Sequence, residues 1–377
     1  MGLALRKTMT IVGTRPELIK MTCVINRLDH ETDHVLVHTG QNYDHELNQV
    51  FFDDLGIRKP DHFLSAAGHS AAETIANTII KTDKVLEHEK PNAVLIYGDT
   101  NSGLAVIAAK RRKVPVFHME AGNRCFDQRV PEEMNRKVID HLADVNMVLT
   151  EHARRHLLAE GLPAERIFKT GSHLDEVLER SRPKIEASNV LNELGLEKGR
   201  YFLISSHREE NVDDPDRCRA LLETLNALAN SYRAPIIFST HPRTRLRFDT
   251  IKGPPVDPLV RFLRPFGFSD YIRLQKDAKC VLSDSGTITE EAALLGFRAV
   301  NLRDAHERPE GMDAGVLIMC GVRPEAVLDA VRVTLMRPPP LTLQPLVSDY
   351  LGGSVSQKVV NIVLSYIDYV NRIVWSK

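Results

Sequence analysis

Short β-rich runs alternate with longer helical patterns almost from the first residue, and this alternation leaves few folds open. Candidate strands are Thr8–Val12, Val35–Thr39, Ala93–Tyr97, Pro115–Met119 and Val145–Thr150. After a polar stretch they resume at Phe202–Ser206, Pro235–Thr240, Tyr271–Leu274, Cys280–Ser283, Ala299–Leu302 and Val316–Met319. These runs are nearly continuous in apolar residues, as strands covered on both faces must be. Strands separated by helices predict parallel sheets with helices on either side, an α/β fold. With 377 residues and about 150 per domain, two domains are expected, each large enough to bury its own core.

Helix starts carry local signals. Pro16 and Pro131 stand where a first helical residue tolerates a missing N–H, and Ser70-Ala71-Ala72-Glu73 reads as a capping box. The stretch Ser181–Arg200 is polar and turn-rich at its ends, and is read as part of the crossing between domains. Pro338, Pro339, Pro340 and Pro345 with Gly352-Gly353 then precede an amphipathic helix carrying Val359, Ile362, Val363, Tyr366, Ile367, Val370 and Ile373 near helical spacing. The expected division is 1–180, 181–353 and a terminal helix 354–377 that packs back on the first domain.

Lys and Arg number 49 against 50 Asp and Glu, a net charge of −1, so neither a nucleic-acid backbone nor an anionic membrane surface is an expected partner. No apolar stretch approaches the roughly 20 residues that span a bilayer, and the first residues lack a signal peptide's pattern. A cytoplasmic location is expected. The five cysteines are far apart and form no CxxC pair, so reduced structural thiols are expected rather than disulfides or a zinc ribbon. His152 and His156 have i,i+4 spacing, but Ala153-Arg154-Arg155 between them supplies cations and no zincin Glu, so no metal is expected. No GxGxxG follows a strand and no GxSxG elbow occurs, which argues against a nicotinamide cofactor and a serine hydrolase.

Chemistry-bearing residues gather where strands end. The first strand runs into Gly13-Thr14-Arg15-Pro16-Glu17, with Lys20 a turn later. A loop leaving a parallel strand's carboxyl end is where open α/β sheets bind ligands, and helix N–H groups with two cations suit a phosphate. Gly98-Asp99-Thr100 and His118-Met119-Glu120 place carboxylates at two further strand ends. Asp99 reads equally as an N-cap. Glu120, directly after an apolar strand, is costly there unless paired or working. In Val130-Pro131-Glu132-Glu133-Met134-Asn135-Arg136, the acids suit a helix's first turn, and Arg136 follows Glu132 by one turn. In the second half, His207-Arg208 and His241-Pro242-Arg243 close two strands with cations suited to a diphosphate. Ser283-Asp284-Ser285-Gly286-Thr287 leads from a strand into a helix, the setting in which backbone N–H groups hold phosphate. Glu291 lies further along that helix, placed to accept from a ribose diol; plain N-capping is the alternative reading of the loop.

In order along nearly the whole chain, the stretches GTRPELIK, HTGQNYD, GDTNS, HMEAGNRCFD, VPEEMNR, SSHREEN, DSGTITEE and RDAHERPE resemble the non-hydrolysing UDP-N-acetylglucosamine 2-epimerase family. The resemblance implies a GT-B-like fold, two Rossmann-like domains with a ligand cleft between them, no cofactor, a UDP-linked 2-acetamido sugar as substrate, and a homodimer. It makes Asp99, Glu120 and Glu132 the catalytic carboxylates with Arg136 beside them. Arg15, Lys20 and His207 fall near the diphosphate and reacting sugar, His207 being expected among the catalytic residues too, and Ser285, Gly286 and Glu291 in the UDP-binding loop and helix; the adjoining Arg208 and Thr287 are expected to bind UDP with them. Where the family pattern has DSGG and HVEAGLRT, this chain has DSGT and HMEAGNRC. These departures resemble the branch that converts UDP-2-acetamido-2,6-dideoxy-β-L-talose to UDP-N-acetyl-L-fucosamine for capsule or O-antigen. The family's QHxxM stretch, tied to allosteric activation, reads Gln41-Asn42-Tyr43-Asp44-His45. Two rivals stand beside this reading: epimerisation of UDP-N-acetylglucosamine, and a GT-B glycosyltransferase that needs an acceptor sugar.

Overall fold

The computed structural model describes residues 5–41, 56–240, 244–245, 247–248, 255–338 and 347–377. Asn42–His45, His241–Arg243, Pro339, Pro340 and Pro345 lie outside them. The chain divides into two compact units, Met1–Glu179 with Asp349–Lys377, and Arg180–Ser348.

The first unit is built on β1 (Lys7–Val12), β2 (Asp33–His38), β3 (His62–Phe63), β4 (Ala93–Tyr97), β5 (Val116–Met119), β6 (Val145–Val148) and β7 (Ile167–Lys169). The strands run parallel in the order β3-β2-β1-β4-β5-β6-β7. Helices α1 (Arg15–Glu31), α2 (Ala71–Glu89), α3 (Val106–Arg111), α4 (Pro131–Leu142), α5 (Glu151–Ala159) and α6 (His173–Ala187), the last running on into the second unit, follow their strands. Every residue of β4 is buried, which is the physical basis of its unbroken apolar sequence. Pro16 and Pro131 occupy helix first turns, as their missing N–H requires. Ser70 Oγ accepts from Glu73 N–H at 3.1 Å, while the Glu73 carboxylate reaches His69 N–H at 2.7 Å rather than Ser70.

The second unit contains α7 (Val190–Leu194), β8 (Phe202–Ser205), α8 (Glu209–Val212), α9 (Pro215–Tyr232), β9 (Ile236–Ser239), β10 (Val260–Leu263), α10 (Phe268–Asp277), β11 (Cys280–Ser283), α11 (Thr287–Leu295), β12 (Ala299–Asn301), α12 (Pro309–Asp313), β13 (Ile318–Met319) and α13 (Pro324–Met336). Its parallel sheet has the order β10-β9-β8-β11-β12-β13, so the α/β expectation holds in both units. Phe202, Ile204, Leu221, Leu225, Phe238, Leu282 and Val331 form its core. Each such side chain contributes about 1.5–3 kcal/mol when fully buried.

The structure corrects one strand. Tyr271–Leu274 lies inside α10, where Phe268, Ile272 and Gln275 are buried at helical spacing. The strand of that region is β10, an edge strand whose sequence Val-Arg-Phe-Leu is only partly buried and lacks the unbroken apolar run of the central strands. The Ser181–Arg200 stretch is largely helical, with α6 running into it and α7 following. The last helix, α14 (Val355–Ile373), buries Val355, Val359, Val363, Ile367 and Val370. It meets α1, where Arg27 Nε donates to Ser356 Oγ at 2.9 Å. No helix among the described residues is long and apolar enough to cross a membrane.

Candidate active site

A crevice opens beyond the carboxyl ends of parallel strands where the strand order reverses. In the first sheet that reversal lies between β1 and β4, and in the second between β8 and β11. Every candidate residue among those described follows one of these four strands or β5 and the α4 segment next to them.

From β1 the chain turns at Gly13 into α1. A Cβ there would overlap Ser102 Oγ and Thr39 Oγ1, two hydroxyls bonded to each other at 2.7 Å, so only glycine lets the turn close. Arg15 is half-buried at the start of α1. Lys20, one turn on, is 4% exposed, and its Nζ lies 3.1 Å from Glu120 Oε2. Glu120 itself has φ +61°, a left-handed conformation that costs a non-glycine residue about 1–2 kcal/mol. Hydrogen bonds on either side hold it there: Gly98 N–H donates to Met119 O at 3.0 Å and Ala121 N–H to Met147 O at 3.1 Å. Asn123 Nδ2 lies 3.4 Å from Glu120 Oε1. This strain at a carboxylate carrying a buried cation is the pattern of a site held for use.

Asp99 accepts from Arg136 Nη2 at 2.7 Å, and Asn135 Nδ2 donates to its carbonyl at 3.0 Å. The capping reading passes to Thr100, whose Oγ1 accepts from Ser102 N–H at 3.3 Å. Arg136 pairs with Glu133, at 3.1 Å, rather than with Glu132. Glu133 is fully buried and also accepts from Cys125 N–H at 3.0 Å and Phe126 N–H at 3.2 Å. Burial opposes its charge, but those N–H groups and Arg136 prevail and hold its carboxyl below the usual range. Glu132 is half-buried and pairs with no described residue. Behind this surface, His118 ring nitrogens lie 2.8 Å from Asp140 Oδ1 and 2.7 Å from Gly98 O, which ties the Asp99 loop to α4. Arg124, fully buried, links Asp140 and Glu160 at 2.7 Å each. Its hydrogen bonds are the main reason Glu160 falls to about 2.

The histidine pair set aside as a metal site has other contacts: His156 Nδ1 lies 2.9 Å from Gly122 O, and its ring meets Phe126 edge-on. Among the described residues, one cluster, His62, His88 and Glu89, brings three ligand atoms together. It lies away from these strand ends, and Lys7 Nζ sits 3.0 Å from its carboxylate.

In the second unit Asp284, at the end of β11, is fully buried. It accepts from Ser206 Oγ at 2.6 Å, His207 N–H at 3.1 Å, Arg208 N–H at 3.1 Å and Asn211 Nδ2 at 3.0 Å. It therefore shapes the loop that presents His207, whose side chain is 54% exposed with Nδ1 3.5 Å from Asp284 Oδ1. Arg208 Nε donates to Asp284 O at 3.1 Å, and Nη2 lies 3.4 Å from Glu307, which Arg303 holds at 2.7 Å. Ser285 Oγ turns to Thr287, 2.9 Å from its Oγ1 and accepting from its N–H at 3.3 Å. Gln275 Nε2 donates to Glu291 at 2.6 Å. The loop leads into α11, whose first-turn N–H groups have no acceptor inside the helix and suit an anion.

The first unit thus holds two carboxylate–cation pairs, Lys20–Glu120 and Asp99–Arg136, and the second an anion-receptive helix start beside His207. Sequence reasoning passed over Glu133, Asn135 and the roles of Glu17, Asp284 and Glu307, although all five lie in stretches already singled out. Their function is to hold neighbours, and a motif read residue by residue does not reveal which side chain holds which.

The chain matches the UDP-N-acetylglucosamine 2-epimerase family over residues 26–364. It is similar to the UDP-N-acetylglucosamine 2-epimerase structure from Rickettsia bellii, 57% identical with a TM-score of 0.91, covering 99% of this chain and 100% of that one. It is also similar to the Methanocaldococcus jannaschii enzyme solved with UDP-GlcNAc and UDP, 32% identical with a TM-score of 0.87, covering 95% of this chain and 99% of that one. Among curated relatives, the UDP-2,3-diacetamido-2,3-dideoxy-D-glucuronate 2-epimerase of Pseudomonas aeruginosa is 33% identical over 94% of this chain and 98% of its own length. Matched over most of its length, and with carboxylates and cations gathered at the strand ends, the chain belongs to the UDP-N-acetylglucosamine 2-epimerase family and is an isomerase acting on UDP-sugars at C2.

Proposed function

We propose that the protein inverts C2 of a UDP-2-acetamido sugar by eliminating and re-adding UDP, without a redox cofactor. The observation that carries this reading is the pairing of two carboxylates with two cations at adjacent strand ends, Lys20–Glu120 and Asp99–Arg136. The C2–H bond has no neighbouring carbonyl to acidify it. In the proposed route a carboxylate takes the C2 proton as the C1–O bond breaks, and the bonding pair leaves with UDP. A 2-acetamidoglycal remains. Protonation of C2 on the opposite face and return of the UDP oxygen to C1 then give the inverted sugar. Glu120, Asp99 and Glu132 share the acid–base roles. Arg15, Lys20, His207, Arg208 and the Ser285-Gly286-Thr287 turn hold the diphosphate as its charge grows, and Glu291 accepts from the ribose.

For the substrate, Asn123, Cys125 and Thr287, at the positions where the sequence leaves the commoner pattern, support UDP-2-acetamido-2,6-dideoxy-β-L-talose, with UDP-N-acetyl-L-fucosamine as product. The likeness to the Rickettsia bellii protein supports a second reading, UDP-N-acetylglucosamine to UDP-N-acetylmannosamine. The protein incubated in D2O with each nucleotide, without added cofactor, is expected to place deuterium at C2 of an inverted product of one of them, followed by proton NMR. Binding of both with no exchange at C2 would leave an acceptor-dependent transferase as the better account.

The UDP loop has its own test. A Cβ at Gly286 would meet Glu307 Oε1, which Arg208 and Arg303 hold in place. Gly286→Ala is expected to disturb that arrangement and to weaken UDP binding about tenfold, or about 1.4 kcal/mol, by titration calorimetry; an unchanged dissociation constant would remove Gly286 from the UDP site.

A further inference from the structure

Glu17 does more than start α1. Its Oε2 accepts from Gly13 N–H at 2.6 Å and Thr14 N–H at 3.2 Å, and its Oε1 from Thr100 Oγ1 at 2.6 Å. Carboxylates that cap helices usually face solvent, whereas this one is 3% exposed. The third donor comes from the residue after Asp99, on the facing strand end. One side chain thus spans the reversal point of the sheet, joining the turn that presents Arg15 to the loop that presents Asp99. The rest of the seam is built alike: Ser102 N–H and Oγ both reach Gln41 Oε1, at 3.1 and 3.0 Å, and Ser102 Oγ meets Thr39 Oγ1.

We propose that Glu17 is a positioning residue for the epimerase reaction, whose carboxylate locks the Arg15 turn to the Asp99 loop and sets the field at Asp99. The proposal rests on the reading that Arg15 and Asp99 act on the UDP-sugar. Three donors converge on two oxygens, and the anion accepts from all three; protonation on Oε1 would turn the Thr100 hydroxyl from donor to acceptor. Burial pushes the Glu17 carboxyl up to about 7, against the pull of the Thr100, Gly13 and Thr14 hydrogen bonds, and the Asp99 charge adds to the rise. Coupling is mutual, so the Glu17 charge acts on Asp99 in turn. The other charges near these segments have partners of their own: Arg136 pairs with Asp99 and Lys20 with Glu120. His38, at the end of β2, is lowered to about 4 by burial and is neutral across this range.

The ionised form is the working one, and ionisation works against stability. With a folded value of about 7 against an ordinary 4.5, the folded chain holds this proton more tightly than the unfolded chain. Stability from this group is therefore complete below about pH 4.5 and declines as pH rises through about 7.

The experiment follows kcat, KM and C2 deuterium exchange from pH 5.5 to 9 for the wild type, Glu17→Gln and Thr100→Val, with UDP affinity by calorimetry. The wild type is expected to show an acid limb near pH 7. Glu17→Gln is expected to lower kcat at least tenfold at pH 8, to keep UDP affinity within threefold, and to lose that limb. It is also expected to resist denaturant better than the wild type at pH 8. Thr100→Val removes one donor from the anion and is expected to move the limb to higher pH. Wild-type kcat with the limb intact in Glu17→Gln would overturn the proposal, and an unmoved limb in Thr100→Val would do so even if the Gln variant failed to fold. Absence of C2 exchange in the wild type at every pH would instead overturn the epimerase mechanism.

Discussion

Replacing Glu120 by Gln is expected to leave UDP bound at close to wild-type affinity while turnover falls by about 10²–10⁴-fold, the range a positioned acid–base group supplies. The two effects separate because His207, Arg208 and the Ser285 turn, most of the groups proposed to hold UDP, lie in the other unit of the chain, and Lys20 stays in place beside the Gln amide. Gln keeps the length and shape of the side chain and its left-handed backbone, so the loop is not freed to move. What it loses is the proton-accepting charge and the anionic partner of Lys20, whose side chain is 5% exposed. A buried ammonium without its counter-ion gives up its proton more readily or draws in water, so modest destabilisation accompanies the loss of turnover. C2 exchange in D2O, read beside UDP calorimetry and a thermal melt, distinguishes these effects. A Gln variant with full turnover would take Glu120 out of the chemistry.

The strand ends were legible in the sequence because parallel strands buried on both faces have no choice but to be apolar, and the polar residues that follow them stand out. Asp99 and Glu120 were found in that way. Strand β10 escapes this pattern for the converse reason: with no described strand on its far side, Arg261 and its neighbours carry no unbroken apolar run, whereas Tyr271–Leu274 in α10 does resemble a strand. Which carboxylate holds which cation was not legible. Glu132 and Glu133 are adjacent and chemically identical, yet a rotation of about 100° between helical neighbours turns one to Arg136 and the Cys125 and Phe126 amides and leaves the other without a described partner. The convergence of Thr100 on Glu17 also depends on two loops 83 residues apart meeting at the sheet's reversal point, and local spacing carries no record of that.

Asp284→Asn is expected to cost the protein about 3 kcal/mol or more, the range for disabling a buried charge whose partners remain. The change is isosteric, so the effect is one of hydrogen-bond direction. Asp284 offers two acceptor oxygens to Ser206 Oγ, two backbone N–H groups and Asn211 Nδ2. Asn offers one, and its NH2 must face donors in a place that water does not reach. For a unit of this size such a loss lowers the melting temperature by about 6–12 °C. The cost is also pH-dependent. Burial opposes ionisation of Asp284, but the His207 ring, Ser206, Asn211 and the Arg208 N–H outweigh it and hold the carboxyl below the usual carboxylate range. A lowered value means that the stabilisation is complete above about pH 4 and is lost only as pH falls through the folded value. The gap between wild type and variant is therefore expected to be flat from pH 5 to 8 and to narrow only in stronger acid. Because the same carboxylate shapes the His207–Arg208 loop, UDP affinity is expected to fall at least tenfold at pH 7. A variant that melts with the wild type and binds UDP as tightly would show that the loop keeps its form without this anion, and that His207 is held by the strand end alone.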